Sequence, residues 1–146
     1  MRVLLDTNVL LRKTNPTAPE HGVVSAAIAS AVGRGDACCV CSQTLVELWA
    51  VMTRPISSNG LGLEPADARA KVDTITLTLE LVPDPPTLFQ RWLELCTHSG
   101  VRGRQVYDAR LAALMVESGI PQFMTLNPAD FSRFPTIKLI VPGQAS

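Results

Sequence analysis

An α/β fold with a mostly parallel sheet is predicted for this chain, and three observations predict it. Short apolar runs alternate with helical stretches from one end of the sequence to the other. The first run is apolar at the consecutive positions Val3, Leu4 and Leu5, as in a strand covered by helices on both faces. The length of 146 residues, 47% of them hydrophobic, is that of one domain with a core of its own, so residues 1–146 are taken as a single unit.

Arg2–Leu5 is the first strand, and a short helix is expected from Val9 to Arg12, closed by the Asn15–Pro19 loop. Val23–Val32 is an Ala-rich helix ending at Gly33 and Gly35. Cys38–Cys41 forms the second strand, and a helix from about Gln43 to Thr53 stops at Pro55 and Ser57-Ser58-Asn59-Gly60. Pro65 suits the first turn of a helix running to about Thr76. Glu80–Val82 is a short strand, and Thr87–Thr97 is a helix that Ser99-Gly100 closes. A loop over residues 101–105 leads into an apolar helix, Val106–Ser118, which Gly119 and Pro121 punctuate. Gln122–Thr125 is a strand, Asn127–Phe131 a turn, and Lys138–Val141 the last strand.

The 13 Lys and Arg residues balance the 13 Asp and Glu residues, so nucleic-acid binding needs a local basic patch. No apolar run approaches the roughly 18 residues that span a bilayer. The first apolar run is too short for a signal peptide and is broken by Asp6, so a soluble, cytoplasmic protein is expected. Cys38, Cys39 and Cys41 lack zinc-ligand spacing and sit in an apolar stretch; with Cys96 they are expected as reduced thiols.

The polar residues that break the apolar pattern fall in one kind of place. Asp6 follows the first strand, Glu47 opens the helix after the second, Asp108 opens an apolar helix, and Asn127 follows the strand ending at Thr125. Ligands of open α/β sheets bind where strands leave for the next helix, so these positions converge at one edge. Crowded carboxylates repel unless a cation joins them, and all-oxygen ligands favour Mg²⁺ or Mn²⁺. Each residue also has a local explanation. Asp6 is a possible helix cap, and Thr44 to Glu47 fits a capping box in which Glu47 returns to the Thr44 amide. Asp108 complements a helix dipole, and Asn127-Pro128 is a cap followed by proline at the first helical position. Caps explain why these residues are polar but not why acids recur at the converging positions.

Four blocks, LLDTNVLL, SQTLVELWAVM, QVYDARLAALM and TLNPADF, stand in order along nearly the whole chain. Together they resemble the signature blocks of the PIN domain, above all the VapC-type toxin ribonucleases of bacterial toxin–antitoxin pairs. The resemblance implies a three-layer α/β/α sandwich and a metal-dependent endoribonuclease leaving 5′-phosphate and 3′-hydroxyl ends. By position, Asp6, Glu47 and Asp108 match the three acids, Thr125 the hydroxyl of the last block, and Asn8 the polar residue beside the first acid. Many members carry a fourth acid where this chain has Asn127, which can ligate through its carbonyl but brings no charge. Asp130, three residues on, is an acid able to substitute in part or to cap the turn. A cognate antitoxin and a homodimer are implied as well, and the stripe Leu45, Leu48, Trp49 and Met52 is one candidate dimer face.

The chemistry expected is hydrolysis of RNA, with Mg²⁺ or Mn²⁺ held by Asp6 and Asp108 and Glu47 orienting water or serving as general base. Phosphate contacts are expected from Arg102 and Arg104, with Arg12, Lys13, Arg110 and Arg133 as further cations; Arg110 has carboxylate pairing or partner binding as alternatives. A metal-free route needs a paired acid and base, and His21 and His98 are expected at the surface. Two rivals stand against this reading. A catalytically inactive PIN-fold binding module predicts a missing acid among the first three. A phosphatase with a DxD nucleophile needs an acid at position 8, where Asn8 stands.

Overall fold

The computed structural model describes residues 1–145. Five strands, β1 (Arg2–Leu5), β2 (Ala37–Cys41), β3 (Glu80–Val82), β4 (Gln122–Met124) and β5 (Lys138–Ile140), form one sheet in the order β3-β2-β1-β4-β5. Every pairing is parallel, with Val3 opposite both Cys38 and Gln122. Six helices connect them: α1 (Thr7–Thr14), α2 (His21–Gly33), α3 (Ser42–Thr53), α4 (Pro65–Thr78), α5 (Leu88–His98) and α6 (Gln105–Ser118).

The strand order moves outward from β1 to β3, then returns to the other side of β1 for β4. Parallel crossovers keep one hand, so reversing direction sends the next helices to the opposite face. The core divides accordingly. Val3, Leu5, Cys38, Val40 and Met124 pack with buried residues of α1 to α4, including Val9, Leu10, Val24, Leu48 and Ile75. Leu4, Cys39, Cys41 and Phe123 point the other way, onto Leu88 of α5 and Ala109 and Leu111 to Met115 of α6. Alternate residues of one strand thus serve two cores, giving the three-layer α/β/α sandwich. With Ala109 and Leu111 to Met115 all buried, α6 lacks a polar face along its middle; this accounts for its uninterrupted apolar sequence.

The elements match the expected ones, with shifts at their ends. α1 starts at Thr7 rather than Val9 because Asp6, extended at φ −69° and ψ 157°, caps it directly. The expected 101–105 loop yields Gln105 to α6, and Thr125 and Val141 lie just past their strands. Gly119 ends α6 at φ 66°, a left-handed turn that lets the Ile120 N–H reach the Met115 carbonyl at 2.9 Å. The stripe offered as a dimer face splits: Leu48 and Met52 are fully buried, Leu45 and Trp49 only partly. Only the latter pair remains available to a partner. The cysteines are free thiols, buried except for the half-buried Cys96. Among the described residues no helix is long and apolar enough to cross a membrane.

Candidate active site at the sheet switch point

β1 and β4 are adjacent strands whose connections depart to opposite faces, and the crevice beyond their carboxyl ends is where Asp6 emerges. The Asp6 N–H extends the ladder to the Met124 carbonyl at 3.0 Å before the chain turns into α1. Its carboxylate, on a residue only 8% exposed, meets three donors. Oδ1 accepts the Thr7 N–H at 2.7 Å, and Oδ2 accepts the Thr125 hydroxyl at 2.7 Å and Asn8 Nδ2 at 3.1 Å. Asn8 Oδ1 accepts the Leu126 N–H at 3.1 Å, and Thr125 Oγ1 accepts the Asn127 N–H at 3.0 Å. The exit of β4 is thereby fastened to the start of α1. Burial nevertheless raises the Asp6 carboxyl above its ordinary value, the donors oppose this, and the Glu47 charge adds to the rise. A cap alone does not carry that repulsion.

Glu47 sits in α3, one helical turn after Gln43. Its Oε2 accepts the Thr7 hydroxyl at 2.9 Å, and its Oε1 accepts Gln43 Nε2 at 3.0 Å. The expected return of Glu47 to the Thr44 amide is not made. Cys41 is the N-cap of α3, and buried Thr44 Oγ1 accepts the Cys41 N–H at 3.3 Å. With Thr44 closing the helix start, the Glu47 carboxylate faces α1 instead.

Asp108 lies in the first turn of α6 and is half-buried. Its carboxyl is pushed up to about 6, first by burial, then by the charges of Asp130, Asp6 and Glu47; Arg133 opposes them. Carboxylates far apart in sequence thus share one electrostatic neighbourhood. Asp130, exposed on the short 3-10 turn Pro128–Phe131, acts on Asp108 more strongly than the other two acids. Asn127 precedes that turn, exposed, and its side chain makes no capping bond.

Among the described residues, no three Asp, Glu, His or Cys side chains already stand close enough to ligate one ion directly. A Mg²⁺ ion keeps several waters and is commonly held through one or two carboxylates, so two direct ligands suffice. The crowded oxygen donors fit such a hard cation. Zinc is poorly matched, because Cys38, Cys39 and Cys41 are core residues and neither histidine is among the groups that act on Asp6 or Asp108. His21 Nδ1 pairs with the Arg12 carbonyl and His98 Nδ1 with the Glu94 carbonyl, both at 2.8 Å.

The cations divide by their partners. Arg102 and Arg104 are exposed just before α6 and, among the described residues, form no ion pair. Arg12 pairs with Glu20 at 3.6 Å, and Lys13 lines a hollow with Lys71 between α1, α2 and α4, apart from the acids. Arg110 is engaged by Asp84 at 2.8 Å and by Gln43 Oε1 at 2.9 Å. Two contacts escaped the sequence reading. Thr7 was hidden because its partner is forty positions away, whereas Gln43, four residues before Glu47 on the same helix face, was open to discovery.

An all-parallel three-layer sandwich with acids gathered at its switch point defines an α/β protein with an anionic site beyond the carboxyl ends of β1 and β4. The chain belongs to the PIN domain family, whose model matches residues 3–136. Among curated proteins it is similar to Ribonuclease VapC24 of Mycobacterium tuberculosis, at 31% identity over 89% of each chain. VapC ribonucleases with this domain generally depend on a divalent metal. Among solved structures it shares the fold of VapBC2 from Rickettsia felis bound to a promoter DNA fragment, with TM-score 0.73, 17% identity, and 97% and 98% of the two chains covered. It likewise shares the fold of Mycobacterium tuberculosis VapC20, described as a toxin cleaving the Sarcin-Ricin loop, at TM-score 0.63 and 17% identity over 83% and 86% of the chains.

Proposed function

We propose that this chain is a single PIN domain acting as an Mg²⁺- or Mn²⁺-dependent endoribonuclease, the toxic member of a VapC-type toxin–antitoxin pair. The observation carrying this reading is the mutual crowding of Asp6, Glu47, Asp108 and Asp130 at the sheet switch point. The ribonuclease relative supports the substrate class, and the VapBC complexes among the fold neighbours support a cognate antitoxin.

Asp6 and Asp108 would hold the ion, with Asn127 or Asp130 as an additional oxygen ligand. A bound divalent ion supplies a water of lowered pKa and polarises the phosphoryl oxygen. Thr125 and Asn8 keep the Asp6 carboxylate oriented, and Glu47 takes up a proton or orders water beside the scissile phosphate. Arg102 and Arg104 meet the RNA backbone ahead of Asp108, where phosphate contacts position the chain. A cytoplasmic homodimer completes the expectation, with Leu45 and Trp49 as the accessible remainder of the α3 stripe.

The inactive-module alternative requires a missing acid among the first three, and none is missing. Incubation of labelled RNA with Mg²⁺ or with EDTA is the deciding experiment. Internal cleavage only with metal, lost in Asp6→Asn and Asp108→Asn, supports the reading. Intact RNA under every condition overturns it, and release of terminal phosphate without internal cuts points to a phosphatase.

A further inference from the structure

We propose that Gln43 is a positioning residue that sets Glu47 against Asp108, with Arg110 and Asp84 bracing its amide; the role rests on the ribonuclease reading above. The Gln43 side chain uses both amide hydrogens. Nε2 donates to Glu47 Oε1 at 3.0 Å and to the Tyr107 carbonyl at 2.9 Å, while Oε1 accepts Arg110 Nη1 at 2.9 Å. The orientation of the amide follows from its neighbours: flipped, its oxygen faces a carboxylate and a carbonyl, and its NH₂ faces a guanidinium. Tyr107 immediately precedes Asp108 in the first turn of α6. One side chain therefore ties the Glu47 carboxylate to the backbone that carries Asp108.

The brace behind it is closed. Arg110 Nη2 donates to Asp84 Oδ2 at 2.8 Å, and Asp84 Oδ1 accepts the hydroxyl of Ser42, the neighbour of Gln43, at 3.3 Å. The ring joins α3, the segment after β3, and α6. The Arg110 and Asp84 side chains are 35% and 37% exposed, and such a pair contributes little to stability, so geometry is the larger consequence of losing it. Thr7 holds the other oxygen of Glu47 at 2.9 Å, so the carboxylate is fixed from two sides.

Gln43→Glu tests this most directly. It keeps the size of the side chain and the acceptor for Arg110, but removes both donated bonds. The expected result is a kcat for RNA cleavage lower by about 10–100-fold, the usual range for groups that orient ligands, with KM little changed and the metal-free Tm at pH 7 lowered, because the new carboxylate faces Glu47. Arg110→Ala lowers kcat in the same direction but less, and Gln43→Ala/Arg110→Ala is no slower than Gln43→Ala, because the guanidinium acts through the amide. A readout without RNA accompanies these: Gln43→Ala needs more Mn²⁺ to reach half of its thermal stabilisation. Wild-type kcat in Gln43→Glu overturns the proposal. Losses that multiply in the double variant, or an Arg110→Ala effect confined to KM, also overturn it and assign Arg110 to RNA contact. Failure of the wild-type protein itself to cut RNA is a separate result that removes the ribonuclease reading and this role together.

Discussion

At the scale of single residues, Asp108 carries the clearest electrical signature of the site. Its carboxyl has an ordinary value of 3.8 when unfolded and about 6 when folded. Between those values the folded state binds more protons than the unfolded state, so stability falls as pH rises from about 4 to 6. Asp6 is shifted in the same direction and adds to the fall. The metal-free protein should therefore have a lower Tm at pH 7 than at pH 5, measured by thermal unfolding in EDTA. Asp108→Asn removes its share of the repulsion without changing the shape of the side chain. That variant should melt higher than wild type at pH 7 and show a shallower pH slope while losing nuclease activity. A wild-type Tm that rises between pH 5 and 7, with no gain in the variant, would contradict the crowding of these acids.

At the scale of elements, α3 shows how one helix serves core and site together. Leu48 and Met52 are fully buried against the sheet, Val46 is 69% exposed, and Glu47 faces α1. Leu48→Ala should cost about 2–5 kcal/mol, the range for a large buried side chain that leaves a cavity. Val46→Ala on the same helix should stay within about 0.5 kcal/mol, as surface changes usually do. Urea unfolding of the two variants distinguishes them; equal losses would mean that the burial of α3 is misassigned. The same helix marks the limit of sequence reading. Its apolar positions announce a helix but not which of them face a second subunit, since the core and a dimer face use the same residue types at the same spacing. Glu47 fits a capping box by local pattern, and only Thr7, brought in by the β1–α1 turn, places its carboxylate at the site. Asp6 was legible because it breaks an apolar run directly after the first strand, where a carboxylate leaving a buried sheet requires compensation. Its donors Thr125 and Asn8 were legible as well, since the family blocks hold them at fixed positions. Gln43 and Arg110 stand inside the blocks, but the bonds that join Gln43 to Tyr107 and Arg110, and Arg110 to Asp84, span separate elements, and the local sequence does not encode those distances.

At the scale of the whole molecule, the strand order β3-β2-β1-β4-β5 brings the acids together, and their cost is distributed over the fold. Asp6, Glu47 and Asp108 come from segments before, within and after the α3–α5 region, so an unfolded chain has no such cluster to offer a cation. An ion binding only the folded state stabilises it by RT ln(1 + [L]/Kd), about 2.7 kcal/mol at a hundredfold excess over Kd. For a chain of about this size, each kcal/mol moves Tm by roughly 2–4 °C. Adding Mn²⁺ at that excess to metal-free protein at pH 7 should thus raise Tm by about 5–11 °C. The rise should shrink as pH falls below about 6, because protons then compete for the Asp108 carboxylate. Asp6→Asn and Asp108→Asn should lose most of the rise, whereas Val46→Ala should keep it in full. Equal shifts in all three variants would place the ion elsewhere on the surface and separate the acids from metal binding.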